Sequence, residues 1–297
     1  MKKRIFTSDW HLVDGSKAED TTNPKQLPEF LEKINKDKEA DLFLVGDIVD
    51  LNQAFDVKRN SIFDIFKLDS CDLYKFIKDA HPQTIAKVEE MLASGKARYV
   101  RGNHDVKLAR VWKRFNPRSR LFVPMYGGNN LEAEHGHFYS ASNLIIGNPK
   151  IEEPALRFLG LLERYFNKDI DVWFEHLTEK KNGNEYRHKD KFYKNVEQSL
   201  SNRSNVRFLV LGHTHDTYFE QISRDGECLV SNKIESLPYV RAIDVKRNGR
   251  DQHSQYIINC GSGVNGHEDA VAMFKHMDKY FVVFDNRNNI LDTAKYV

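Results

Sequence analysis

The chain has 297 residues, 40% of them apolar and 30% charged, with a formal net charge of +2. That is the balance of an ordinary globular protein, long enough to bury a substantial core as one large α/β domain or two small ones. The near-zero charge excludes a strong sequence-independent field for nucleic acid.

No apolar run approaches the length of a membrane span, and peripheral membrane contact stays open. The basic opening Met1-Lys2-Lys3-Arg4 leads into Ile5-Phe6-Thr7, too short for a signal-peptide core. Cys71, Cys228 and Cys260 lack metal-knuckle spacing and read as reduced, mostly buried thiols of a cytoplasmic protein. The basic stretch Arg110–Arg120 reads first as a solvated helical face.

In chain order, Arg4–Ser8 reads as a strand leading into Asp9. Pro28–Lys38 reads as a helix with Leu27, Phe30, Leu31 and Ile34 on one side. Asp41–Val45 has the pattern of a strand buried on both faces, ending at Gly46. Residues 61–94 look helical, with a second helix starting at Pro82 and stopping at Gly95. Ala97–Val100 is the next strand and feeds Gly102-Asn103-His104. This alternation argues for a layered α/β sheet with right-handed crossovers.

Residues 151–203 break the rhythm with three helix-like segments, around Leu156–Phe166, Val172–Lys181 and Asp190–Ser201. They either cover the core or form a cap shaped to a substrate. Val206–Leu211 is a strong strand into Gly212-His213. Asp225-Gly226 and Asn248-Gly249 are hairpin signals, and Tyr256–Asn259 and Tyr280–Asp285 are further strands. One domain over residues 1–297 with a helical insertion at about 151–203 is the simplest organisation.

Five short segments carry the chemistry: Asp9-Trp10-His11, Gly46-Asp47-Ile48-Val49-Asp50, Gly102-Asn103-His104-Asp105, His135-Gly136-His137 and Gly212-His213-Thr214-His215. Four of them follow an apolar, strand-like run. On an extended backbone, residues two apart point the same way, so Asp9 with His11 and His213 with His215 could each address one ion. Asp47 offers two oxygens suited to bridging, Asn103 an amide oxygen and His135 an imidazole. Mixed oxygen and nitrogen ligands suit Mn, Fe, Zn or Ni better than Ca or Mg, with Mn²⁺ the expected ion. Two divalent ions with Asp9, Asp47 and a bridging hydroxide would leave a charge of about +1, poised for an anionic phosphate.

Taken in order, these motifs resemble the calcineurin-like metallophosphoesterase superfamily. Ile258-Asn259-Cys260-Gly261-Ser262 resembles a segment that often follows GHTH in that family. The resemblance implies a four-layer α-β-β-α sandwich of two mixed sheets with a helical cap. It implies Asp9, His11, Asp47 and His215 on one metal, and Asp47, Asn103, His135 and His213 on the other. His104 would protonate the leaving-group oxygen or hold the phosphate, with Asp50 orienting it.

Gly46–Leu51 and the insertion between HGH and GHTH are similar to the branch containing UDP-2,3-diacylglucosamine hydrolases, which cleave a pyrophosphate in a nucleotide-linked lipid precursor. Two positions depart from that branch: His104 stands in place of its common Arg, and His137 in place of its common Asp. The serine/threonine phosphatase branch fits less well, because Leu51-Asn52 replaces Arg-Gly and Asp105 replaces Glu.

The expected substrate is a phosphorylated small molecule or a nucleotide-linked compound. A nuclease is the alternative, although it would need a basic groove. A non-catalytic metal-loaded scaffold is a third reading, against the intact ligand set. His137 is expected to face substrate or stand behind a ligand, and Asp105 to orient its loop. Nothing in the sequence fixes an oligomeric state.

Overall fold

Lys3–Thr7 (β1), with Ile5 and Phe6 at its centre, pairs in parallel with the more apolar Ala40–Val45 (β2), Ile5 opposite Leu42 and Phe6 opposite Phe43. The computed structural model describes residues 3–15, 27–51, 54, 69–105, 107–108, 111–112, 122–123, 125–128, 130–139, 187–213, 217–222, 228–233, 255–260, 281–285 and 290–291. Between β1 and β2 runs a helix, Leu27–Lys36 (α1), which buries the expected Leu27, Phe30, Leu31 and Ile34.

After β2 come two helices, Ser70–Ala80 (α2) and Pro82–Ala93 (α3). Asp69 caps the first by accepting from the backbone N–H of Cys71 and Asp72. Pro82 opens the second, where its missing N–H costs nothing. Residues 61–68 of the expected helical stretch lie outside the described residues. Cys71 is only half-buried, since it sits in the first turn of α2.

Ala97–Val100 (β3) pairs in parallel with β2, and Phe122–Val123 (β4) with β3. On the other edge, Phe281–Asp285 (β11) runs antiparallel to β1, and Ile290–Leu291 (β12) antiparallel to β11. The first sheet is therefore mixed, in the order β12-β11-β1-β2-β3-β4.

A second six-stranded sheet has the order β5-β6-β7-β10-β8-β9. Its strands are Met125–Gly128 (β5), Leu131–Glu134 (β6), Phe208–Leu211 (β7), Thr217–Ile222 (β8), Cys228–Lys233 (β9) and Gln255–Cys260 (β10). It too is mixed: β6, β7 and β10 are parallel, while β5, β8 and β9 are antiparallel to their neighbours. β8 and β9 flank the hairpin signal at Asp225-Gly226, whereas Asn248-Gly249 lies outside the described residues.

Three apolar clusters sit around these sheets. Phe6, Phe43, Val45 and Val100 of the first sheet share one with Leu131, Phe208, Val210 and Ile258 of the second. The other face of the first sheet packs Ile5, Leu42 and Leu44 against α1, α2 and α3. Leu209, Leu211 and Ile257 pack against the helix Arg187–Ser201 (α4) through Phe192, Val196 and Leu200. α4 covers the expected helix at Asp190–Ser201, and residues 140–186 lie outside the described residues. Among the described residues, no helix is long and apolar enough to cross a membrane.

Candidate metal centre

The C-terminal ends of β1, β2, β3, β6 and β7 each release a short loop, and these loops bring Asp9, His11, Asp47, Asp50, Asn103, His104, His135 and His213 together. Three overlapping sets have candidate ligand atoms within 4.8 Å of one another: Asp9-His11-Asp47, Asp47-His135-His213 and His11-Asp50-His104. His215 lies outside the described residues.

The loops do not converge by strand alternation, as the sequence suggested for Asp9 and His11. The backbone turns left-handed at Asp9 (φ 53°), His11 (φ 47°), Asp47 (φ 51°) and His213 (φ 75°). Such conformations cost about 1–3 kcal/mol each in a non-glycine residue and gather where a fold needs a side chain aimed. Each motif's reversal therefore comes at the end of a strand, where the ladder no longer dictates φ.

The carboxylates are fixed by neighbouring loops. Asp9 Oδ2 accepts from the backbone N–H of His213 at 2.9 Å and from the Ser8 hydroxyl. Asp47 Oδ1 accepts from the backbone N–H of His104 at 2.9 Å. One oxygen of each is held, and the other faces the histidines. Asp9 Oδ1 lies 3.8 Å from His11 Nε2 and 3.9 Å from His135 Nε2, while Asp47 Oδ2 lies 2.7 Å from His135 Nε2.

Close approach also explains two glycines. A Cβ on Gly102 would overlap the Asp47 carboxylate, and one on Gly46, at φ 83°, would sit 2.5 Å from His135 Nδ1.

His135 donates from Nδ1 to the Val45 carbonyl at 2.9 Å, which fixes its tautomer and turns Nε2 towards Asp47 and the Asn103 amide oxygen, 3.1 Å away. With acceptors on every side, Nε2 binds a proton strongly. Burial opposes the charge, but Asp47 and Asp9 outweigh it and lift the imidazole to about 9. Burial likewise opposes charging of His11 and His104, yet the carboxylates around them raise both. The same pairing holds Asp47 and Asp50 below the usual carboxylate range against the cost of burial. A pocket that raises three imidazoles has a surplus of negative charge. Its oxygen and nitrogen donors, with two gaps of 3.8 and 3.9 Å too wide for hydrogen bonds, fit a divalent cation.

His104 Nδ1 donates to Asp50 Oδ2 at 2.5 Å, and the same oxygen lies 3.6 Å from His11 Nδ1. Asp50 thus stands between two imidazoles, a link to His11 that the sequence reading missed. His137 is half-buried, its ring 5.6 Å from that of His135 and 3.8 Å from that of Phe138, tilted by 41°. Burial and the neighbouring charge of His135 push it down to about 4, so it is neutral at pH 7.

The sequence reading also missed Ser8, Tyr99 and Phe192. Tyr99 donates from its hydroxyl to Asp105, and the Phe192 ring lies 6.0 Å from that of His213. Asp105 orients its loop, as expected, by accepting from the Gly102 N–H at 2.8 Å. Burial and the charge of Asp47 raise it to about 7.

Residues 2–217 match the family model of calcineurin-like phosphoesterases. The chain belongs to that family. It is accordingly a metal-dependent hydrolase acting on phosphoester bonds, and the clustered donors are its candidate ligands. Among curated proteins no match is found. Among solved structures the chain is similar to a metallophosphoesterase from Sphaerobacter thermophilus, at 12% identity over 98% of this chain and 87% of that chain, with a TM-score of 0.36. It is also similar to a mutant of a cold-active protein tyrosine phosphatase, at 12% identity over 97% and 76% of the two chains, with a TM-score of 0.34.

Proposed function

We propose that this phosphoesterase uses two divalent ions to hydrolyse a phosphoester or pyrophosphate bond in a nucleotide-linked or lipid-linked substrate. Asp9, His11, Asp47 and His215 hold one ion, and Asp47, Asn103, His135 and His213 the other. Mn²⁺ suits this mixed donor set, with Fe, Zn or Ni as alternatives. When bound, such ions supply Lewis acidity at the phosphoryl oxygens and a nucleophile at neutral pH.

The chain's own residues do the rest. Asp50 accepts a 2.5 Å hydrogen bond from His104 Nδ1, which orients the ring and leaves its Nε2 to protonate the leaving-group oxygen. Asp50 and Asp47 raise the proton affinity of His104 against the cost of burial. The observation that carries the reading is the convergence of eight polar side chains from five strand ends, with Asp9 and Asp47 each pinned through one oxygen by a backbone N–H.

The two sheets fit a four-layer α-β-β-α sandwich, a layering supported by the three apolar clusters. We take residues 1–297 as one domain with a helical insertion at about 151–203, in a cytoplasmic protein. The motif Gly46–Leu51 and that insertion favour the branch that cleaves nucleotide-linked pyrophosphates, while His104 and His137 set this chain apart from its common pattern.

The test is hydrolysis of aryl phosphomonoesters and phosphodiesters by the purified protein with Mn²⁺. Asp47→Ala and His104→Ala should both abolish most turnover. Activity indifferent to either substitution overturns the reading.

A further inference from the structure

The acid and the ligands leave one buried polar pair unexplained. Tyr99 lies in β3 with its ring in the apolar cluster against α1–α3. Its hydroxyl donates to Asp105 Oδ2 at 2.5 Å and accepts from the Ile48 N–H at 3.3 Å. Asp105 Oδ1 accepts from the Gly102 N–H at 2.8 Å. One phenol and one carboxyl group therefore tie the loop of residues 46–50 to the loop of residues 102–105.

Those loops carry Asp47 and Asp50 on one side and Asn103 and His104 on the other. They also meet through His104 N–H to Asp47 at 2.9 Å. A phenylalanine at 99 would keep the ring in the same apolar cluster, so packing alone gives the hydroxyl no role. Its removal would strip Asp105 Oδ2 and the Ile48 N–H of a partner inside the protein, a loss buried polar groups do not tolerate silently.

We propose that Tyr99 and Asp105 act as one hydrogen-bonded positioning unit that sets the spacing of the Asp47 and Asn103–His104 loops, and with it the fit of a divalent ion between them. Neither residue touches the reacting atoms. The proposal rests on the two-metal reading for what the loops hold, but its test does not need turnover.

The full-length protein is titrated with Co²⁺, whose visible absorption bands report the geometry of the ligands around it. Tyr99→Phe and Asp105→Asn should each weaken cobalt affinity by about 10-fold or more and shift the bands, the range typical for residues supporting a ligand. The double variant should be no worse than the poorer single, since the two act as a unit. Tyr74→Phe is the control, because that buried hydroxyl donates to Glu89 at 3.1 Å, away from the loops, and it should change nothing.

Unchanged affinity and bands in Tyr99→Phe overturn the proposal, as do losses that multiply in the double variant. A lower melting temperature with unshifted bands also overturns it, because it assigns the hydroxyl to stability alone. Should Asp105→Asn fail to fold, Tyr99→Phe against Tyr74→Phe decides by itself. Wild-type protein that binds cobalt yet hydrolyses no phosphoester sinks the activity reading and leaves this one standing.

Discussion

The two sides of the candidate centre are held by different physics. On the first sheet's side, Asp9, Asp47, Asp50 and His104 are fixed by directional polar contacts of 2.5–2.9 Å, two of them from backbone N–H groups. On the second sheet's side, His213 rests on an aromatic shelf. Phe192 of α4 packs beside it and lies so close under Gly136 that a Cβ there would come within 3.2 Å of the ring, with Tyr139 edge-on to Phe192 at 6.0 Å. Polar fixation fails when a single atom is removed, whereas apolar support yields gradually and takes stability with it. Substitutions on the first side should therefore reach the chemistry before the fold, and those on the second side the fold before the chemistry.

The largest effect is expected at Asp47. Its two oxygens serve the His104 N–H and His135 Nε2, so Asp47→Ala disturbs the proposed acid and a proposed ligand in one step. The loss of Mn²⁺-dependent turnover should exceed the about 10–100-fold that a residue behind a ligand costs. Calorimetric titration should show metal binding lost or reduced, while circular dichroism stays native. Turnover within about 10-fold of wild type would remove the distinction between the two sides.

Phe192→Ala tests the other side. Deleting a buried phenyl ring costs about 3–5 kcal/mol, read from the denaturant midpoint. Where the variant remains folded, its metal affinity should fall by less than at Asp47. A variant of native stability with no metal binding would reverse the comparison.

Much of the first side was legible in the sequence because β1, β2 and β3 are short strands with apolar residues at their core that lead directly into motif residues. The parallel order of β1, β2 and β3 followed from the helices between them. β6 was not legible, since Leu131-Glu132-Ala133-Glu134 is only four residues long and Glu and Ala are poor strand formers, while its charges find their partner in Arg203, far along the chain. Tyr99 was not singled out within the strand Ala97–Val100, because its hydrogen bond depends on a loop folding back six residues later. The motif residues were found by type and spacing, yet the reason they converge was not. Extended alternation was assumed, and the backbone instead turns left-handed at Asp9, His11, Asp47 and His213.

A pH scan of the metal-free protein probes the electrostatics that join the two sides. His135 holds its proton more tightly folded than unfolded, at about 9 against an ordinary 6.5. The stability this adds is complete below pH 6.5 and is lost as pH rises through about 9. Asp105, raised from 3.8 to about 7, works in the same direction at lower pH, because its folded form also favours the proton. The melting temperature in the presence of a chelator should therefore fall between pH 6 and 9, by an amount equivalent to roughly 3 kcal/mol at most from His135. With Mn²⁺ the fall should shrink or reverse, since a cation bound at the histidine displaces the proton and binds more tightly as pH rises. A metal-free protein that gains stability across this range would contradict the surplus negative charge assigned to the pocket.

The smallest effect is expected at Arg203, whose polar network lies behind the second sheet's side. Its guanidinium donates to Glu132 at 3.0 Å, Glu134 at 3.2 Å, Tyr139 at 2.5 Å and Ser199 at 2.8 Å. The network joins β6 and the turn His137–Tyr139 to α4, directly behind His135. Geometry alone would make it a strong brace, but the Arg203 side chain keeps 26% of its surface in solvent, where water and salt screen the pairs. Arg203→Met preserves most of the stem's packing and should cost about 1 kcal/mol, a melting shift of a few degrees that shrinks at high salt. Turnover should stay within about 2-fold of wild type, because Phe192 and the His135–Val45 hydrogen bond still hold the histidines. A 10-fold loss of kcat without loss of stability would mean that the Arg203 network, and not the packing of Phe192, positions the histidines of the second side.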